Sequence, residues 1–140
     1  MPTDGSANES LVVRAARLAL AVLFIGAGVS HFARPVTFAA MVPRWLPNAP
    51  LLVAVSGAAE ILGGIGLLVP TVRRAAGWGL LALLIAVFPA NINMLQRAAT
   101  DGSSLARQAA LAIRLPLQIV LLWSVWRVAV RRAPPRTMRF

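Results

Sequence analysis

Four apolar runs, each about twenty residues long, constrain this chain more than any other feature of its sequence. They cover residues 11–31, 51–69, 75–95 and 109–130. A helix of that length rises about 30 Å, which matches the hydrocarbon core of a bilayer. Only 13% of the residues are charged, whereas soluble domains carry roughly a quarter. The sequence therefore predicts an all-α, membrane-embedded four-helix bundle within residues 11–130.

Polar tails flank the predicted bundle at both ends. Residues 1–10 are polar and partly acidic, and we expect them to be disordered. Residues 131–140 are basic and contain proline, and we expect them to rest on anionic lipid. The first apolar run could also be a signal peptide cleaved after Ser30. The small-residue pattern there is poor and three more spans follow, so we predict a retained helix.

The basic residues indicate the orientation in the membrane. All fourteen are arginine, and the net charge is +10. Arg14, Arg17, Arg73, Arg74, Arg127, Arg131, Arg132, Arg136 and Arg139 fall on one side of the predicted bundle, Arg34, Arg44, Arg97 and Arg107 on the other, and Arg114 within a span. The excess predicts cytoplasmic termini. The absence of lysine is typical of a GC-rich bacterial genome, so we expect a multi-pass protein of a bacterial inner membrane. Arginines at the ends of apolar runs do not make a nucleic-acid-binding face, so no nucleic-acid partner is expected.

The sequence also limits the cofactors that the chain can build. It contains no cysteine, so it forms no disulfide, has no thiol nucleophile and holds no metal through sulfur. Its one histidine is His31, so a site with two histidine ligands cannot come from a single chain. We expect no built-in cofactor or metal, and a quinone remains a candidate ligand.

Polar residues within the spans are costly in hydrocarbon and mark candidate sites. Counted inward from the outer surface at about 1.5 Å per residue, Glu60 and Gln118 lie about 15 and 13 Å deep. On the same count, Arg114 and Asn91 lie about 7 and 6 Å deep, and His31 lies at the rim. The polar groups of four spans are thus predicted to converge in the outer half of the bundle.

Two interpretations of this cluster stay open. In the first, Glu60 and Arg114 form a structural ion pair, and Gln118 and Asn91 complete its hydrogen bonds. In the second, a pocket opens to the outer face, and Glu60 binds a ligand or moves a proton. Glu60 and His31 are the catalytic candidates, although a hydrogen bond at the rim is the simpler role for His31. Glu60, Asn91, Arg114 and Gln118 are the candidate ligand-binding residues.

Prolines and glycines add predictions about local structure. Four prolines between residues 32 and 50 forbid a long helix, so this segment is either a short helix followed by a strip at the membrane interface or a loop that caps the bundle. Pro89 and Pro116 each deprive a backbone carbonyl of its helical donor. Small residues allow close packing between membrane helices. The glycines concerned are Gly26, Gly28, Gly57, Gly63, Gly64 and Gly66.

Five short motifs distinguish the chain from a generic apolar bundle. They are GVSHF at 28–32, VPRWLP at 42–47, SGAAEILGG at 56–64, VFPAN at 87–91 and RLPLQ at 114–118. Together they resemble the DoxX-like family of small four-helix membrane proteins over about residues 11–128. The resemblance implies a four-helix integral membrane fold without a settled activity. Some relatives are described as membrane subunits of quinone-linked sulfur oxidation, or as helpers in maturing redox enzymes.

Three functions remain in competition. The first is an accessory subunit of a membrane redox system that binds a quinone or another lipophilic ligand and receives electrons from a partner protein. The second is a non-redox enzyme, an isomerase or hydrolase of a hydrophobic small molecule, with Glu60 as acid or base. The third is a scaffold for partner membrane proteins, in which the polar cluster is structural. The sequence leaves the oligomeric state open.

Overall fold

A computed structural model describes residues 10–131, which are helical and contain no strand. The helices are α1 (Leu11–Ala33), α2 (Pro35–Ala39), α3 (Ala49–Leu68), α4 (Arg73–Thr100) and α5 (Leu105–Val125), and a π-helical turn (Trp126–Val130) continues α5. Four of them are long and apolar enough to cross a membrane. The all-α prediction and the four long apolar helices are therefore confirmed. The predicted tails, apart from Ser10 and Arg131, lie outside the described residues.

Side-chain caps and prolines set the starts of three long helices. Ser10, Asn48 and Ser104 each accept a backbone N–H three residues further along the chain. Asn48 adopts a positive φ of 51°, a conformation that asparagine tolerates better than most residues. Pro50 lies in the first turn of α3, where no N–H is needed. Pro70 follows the end of α3 and prevents its continuation.

The helices differ from the predicted spans mainly at their ends. α4 continues through Thr100, beyond the predicted limit at residue 95, and α5 begins at Leu105 instead of residue 109. Pro89 and Pro116 lie inside these helices without ending them. The difference arises because apolarity marks the part of a helix suited to hydrocarbon, whereas the helix itself ends at caps and turns.

The long helices pack in the order α1, α3, α4 and α5, and α1 and α5 contact each other only slightly. The core is Leu20, Ala21, Phe24, Leu67, Leu80, Leu81, Leu84, Val125, Val128 and Val130. Most of these side chains lie in the half of the bundle that contains residues 10 and 131, which we call the tail end. The other half carries segments 34–48 and 101–104, and we call it the loop end. The packed core is thus concentrated at the tail end.

The two glycines Gly28 and Gly57 bring α1 and α3 into backbone contact. A Cβ added at Gly28 would lie 2.5 Å from the carbonyl oxygen of Gly57, and one added at Gly57 would lie 2.8 Å from Cβ of His31. Gly64 similarly faces Ile25, so the prediction of close helix packing is confirmed there. Gly26 is different because nothing lies within 4 Å of an added Cβ. The prediction that Gly26 serves this contact is wrong.

The outer surface of the bundle is apolar and carries tryptophans at the tail end. Trp78, Trp123 and Trp126 are exposed there. The guanidinium of Arg127 lies 5.1 Å from the centre of the Trp123 ring, a cation–π arrangement. Arg17, which was counted among the arginines at the end of an apolar run, has its side chain buried within the bundle. The helix turns Arg17 inward, on the same face as Leu20 and Phe24.

The contact between α1 and α3 predicts a position-specific effect of added bulk. Gly28→Ala should lower the free energy of unfolding by about 1–3 kcal/mol, because its methyl group overlaps the Gly57 carbonyl. Gly26→Ala is the matched control and should leave stability unchanged or slightly raised, because it adds helix propensity in open space. Denaturant titration of both variants in a non-ionic detergent measures the difference. Equal stability of the two variants would contradict the backbone contact.

Candidate functional site

Segment 34–48 folds back over the loop end and is held there by α4. The side chain of Asn93 donates to the carbonyl of Met41 at 3.1 Å, and Arg97 donates to the carbonyl of Ala40 at 2.9 Å. The ring of Phe38 in α2 lies 4.1 Å from that of His31, centroid to centroid. The short helix predicted in this region is confirmed. The segment also caps the bundle, so features of both interpretations are present.

A cavity of about 550 Å³ lies beneath this cap, between α1, α3, α4 and α5. Its walls are mostly apolar, with Phe24, Leu84 and Leu121 among them. All five polar residues singled out from the sequence line it: His31, Glu60, Asn91, Arg114 and Gln118. The predicted convergence of polar side chains at one end of the bundle is thus observed, around an open space.

His31 and Glu60 form the closest polar pair on the wall between α1 and α3. The Nδ1 atom of His31 lies 3.2 Å from the carbonyl oxygen of Val53. Because a carbonyl only accepts, Nδ1 carries a hydrogen and donates it. The Nε2 atom therefore faces Glu60, whose Oε2 lies 3.6 Å away. The two side chains are only 12% and 13% exposed, so the pair is shielded from bulk solvent.

The two side chains approach each other without a hydrogen bond, and Oε2 of Glu60 has no hydrogen-bond partner within residues 10–131. If the imidazole ring is neutral, Nε2 is an acceptor. If Nε2 carries a hydrogen, the ring is a cation and can pair with a carboxylate. An imidazole and a carboxyl group with unengaged atoms on the cavity wall can take a proton from a ligand or give one to it.

The ion pair between Glu60 and Arg114, one of the two interpretations of the cluster, does not form in the structure. Glu60 is adjacent to His31 instead. The reason is the antiparallel packing of α1 and α3, in which Cβ of His31 lies against Gly57, one helical turn before Glu60. The sequence signal that could have found this pair is the small residue Gly57 one turn before Glu60, which lets α1 come close.

Asn91 and Gln118 connect α4 to α5 on the opposite wall. The amide nitrogen of Asn91 donates to the side-chain oxygen of Gln118 at 2.8 Å. The amide nitrogen of Gln118, a residue only 3% exposed, donates to the backbone carbonyl of Leu84. Pro89 has no N–H to donate to the carbonyl of Ile85, four residues earlier, and the carbonyl that receives the Gln118 bond is that of the residue before Ile85. The two amides thus stabilise the α4–α5 contact beside the cavity.

Arg114 lies on the α5 wall and differs from the other polar residues of the cavity. Its side chain is exposed and makes no hydrogen bond or ion pair with another residue in the described part of the chain. Within residues 10–131, no group of three His, Asp or Glu side chains is arranged to hold a metal ion. The described residues of the cavity therefore combine an imidazole beside a carboxyl group, two hydrogen-bonded amides and one guanidinium.

Residues 20–129 match the family described as Domain of unknown function (DUF8561), and the chain belongs to that family. The matched range contains every polar residue of the cavity. No curated protein and no solved structure matches the chain. The DoxX-like resemblance therefore stays a prediction that rests on the motifs themselves. The chemistry of the cavity has to be argued from its own residues.

The hydrogen bond between Asn91 and Gln118 predicts energetic coupling between two helices. Asn91→Leu and Gln118→Leu should each lower the free energy of unfolding by about 1–3 kcal/mol, because each leaves a polar partner unsatisfied. The double variant should lose less than the sum, because both ends of the bond are then removed. Denaturant titration of the four proteins gives the coupling. Gln96→Leu, an exposed change on α4, is the control. Strictly additive losses would contradict the bond.

Proposed function

We propose that the chain is an accessory subunit of a membrane redox system that binds a quinone or another lipophilic ligand in the loop-end cavity. The observation that carries the proposal is the convergence of five polar side chains on one mostly apolar cavity. Small-molecule sites have this composition, with apolar walls for the body of the ligand and a few polar groups that fix its orientation. A volume of about 550 Å³ is also in the usual range for such sites.

The arginine distribution supports the membrane and the orientation in this proposal. The sequence assigns nine arginines to the side of residues 10 and 131 and four to the other side, and six of the nine lie within the described residues. By the positive-inside rule, the tail end faces the cytoplasm of a bacterial inner membrane, and the cavity lies in the outer half of the bilayer. The exposed tryptophans at the tail end fit a position at the membrane interface.

The polar groups of the cavity suit a ligand whose oxygen atoms gain or lose protons. Reduction of a quinone to a quinol takes up two electrons and two protons. The Glu60 and His31 pair can supply one proton to a quinone oxygen, be reprotonated from the loop end, and supply the second proton in the same way. The amide of Asn91 has hydrogen-bonding capacity left for a second oxygen. The electrons come from a partner protein, because the chain has no cysteine and only one histidine with which to hold a redox centre.

A non-redox enzyme is the second candidate, and the Glu60 and His31 pair favours it. A carboxyl group beside an imidazole whose tautomer is fixed by Val53 is suited to acid–base chemistry without electron transfer. The scaffold interpretation has less support. It required a direct pair between Glu60 and Arg114 with no void, whereas a cavity lies beside both residues.

Glu60→Gln tests the proposed binding site. The variant keeps the shape of the side chain and removes its acidity, so it should fold normally but lose most of the thermal stabilisation that a quinone gives the wild type. Ser124→Ala, which removes a hydrogen bond at the tail end, is the control and should respond like the wild type. Melting curves in detergent across a panel of quinones measure the effect. The quinone proposal fails if no quinone shifts the wild type, or if Glu60→Gln responds fully.

The proposed orientation can be tested by labelling introduced cysteines, because the chain has none of its own. Val36→Cys lies at the loop end and Thr71→Cys at the tail end, and both positions are exposed. A membrane-impermeant maleimide added to intact spheroplasts should label only the first, and lysis should make the second reactive. The reverse pattern would place the cavity on the cytoplasmic side.

A further inference from the structure

Arg114 lines the loop-end cavity, and no anionic side chain contacts its guanidinium among the described residues. Glu60 is the one described carboxyl group that lines the cavity, and it lies beside His31 instead, with Oε2 3.6 Å from Nε2. A guanidinium is a cation in proteins, with five N–H donors and no acceptor. A guanidinium next to apolar walls gains most from a ligand that brings an anion to it.

Arginine is also suited in shape to a particular class of ligand. Its planar guanidinium offers parallel N–H donors that match the two oxygens of a carboxylate or a phosphate. The donors of Arg114 are not engaged by another described residue. By contrast, Arg97 and Arg107 at the same end bond to Ala40 and Ser103. Of these three arginines, Arg114 is the one that both lines the cavity and retains its hydrogen-bonding capacity.

The apolar part of such a ligand has a route out of the cavity. α1 and α5 contact each other only slightly. Leu23 on α1 and Leu117 on α5 both line the cavity, and they are 49% and 53% exposed. The few contacts between α1 and α5 leave room for a chain to pass between these two apolar side chains. A hydrocarbon chain that lies between Leu23 and Leu117 would cover apolar surface on both.

We propose that the cavity selects an amphiphile with an anionic oxygen head group, a carboxylate or a phosphate. The head pairs with Arg114, and the chain extends between α1 and α5. This inference rests on the proposed binding function of the cavity and narrows its ligand class. It differs from the quinone assignment, because a quinone is neutral and leaves the charge of Arg114 uncompensated.

The competing explanation is that Arg114 only extends toward lipid head groups at the loop end. Long basic side chains near helix ends reach the interface in this way. Lysine extends as well as arginine but lacks the planar fork. An Arg114→Lys variant therefore separates the two explanations, and Arg114→Gln removes the charge altogether.

The test measures binding of matched probes to the full chain in nanodiscs of phosphatidylcholine, which carry no net charge. The probes are decanoate, decyl phosphate, decanol and inorganic phosphate, and thermal stabilisation against concentration gives an apparent Kd for each. The wild type should bind the two charged amphiphiles about tenfold more tightly than decanol, as expected for a charge-assisted pair. Inorganic phosphate should bind more weakly than decyl phosphate, because it gains nothing from the apolar opening.

The variants give the decisive comparison. Arg114→Gln should bind decanoate no better than decanol, and Arg114→Lys should keep only part of the preference. Arg107→Gln changes the same charge on the same helix away from the cavity wall, and it should keep the full preference. If Arg114→Gln does not fold, the preference of Arg114→Lys for decanoate over decanol still tests the inference. The inference is overturned if Arg114→Lys keeps the whole preference, or if inorganic phosphate binds as tightly as decyl phosphate.

Failure of the inference and failure of the proposed function give different patterns. If quinones, decanol and decanoate stabilise the wild type equally, the cavity binds lipophilic ligands but does not select anions, so only the inference fails. If decanoate stabilises the wild type through Arg114 and no quinone does, the quinone assignment fails and the inference stands. If no probe stabilises the wild type at any concentration, both fail.

Discussion

The backbone contact between α1 and α3 at Gly28 and Gly57 is the constraint on which the rest of the site depends. In a bilayer, apolar surface gives little driving force for helix association, so close packing and hydrogen bonds must hold the helices together. The contact brings Cβ of His31 against Gly57, one helical turn before Glu60, so the imidazole reaches the carboxyl group of the neighbouring helix. The proximity of His31 and Glu60 therefore depends on glycines that let the two backbones approach.

The tail end of the bundle contains the packed core, and the loop end contains the polar residues of the cavity. At the tail end, Leu67, Leu80 and Val125 are fully buried and hold the four helices together. At the loop end the helices enclose a cavity, and hydrogen bonds replace the missing packing. Asn91 and Gln118 connect α4 to α5, and Asn93 holds the cap. The closely packed tail end can thus support a loop end that is open enough to admit a ligand.

The sequence predicts the helices and the site to different degrees. Apolar run length predicts the four long helices, because hydrocarbon thickness fixes that length. Depth counting predicts that Glu60, Asn91, Arg114 and Gln118 lie at one end, because helical rise is constant. It cannot predict which of them touch, because that depends on how each helix is rotated about its axis. For this reason the sequence left open whether Glu60 pairs with Arg114, and in the structure Glu60 lies beside His31 instead.

The central claim is that the loop-end cavity holds a lipophilic molecule, and native mass spectrometry of protein extracted from cell membranes tests it most directly. Ala27 lines the cavity, whereas Ala19 is exposed on the outside of the same helix. The account predicts a small lipophilic adduct on the wild type and on Ala19→Phe, and its loss from Ala27→Phe, whose ring occupies the cavity. A bare wild type, or an adduct that Ala27→Phe retains in full, would contradict the account.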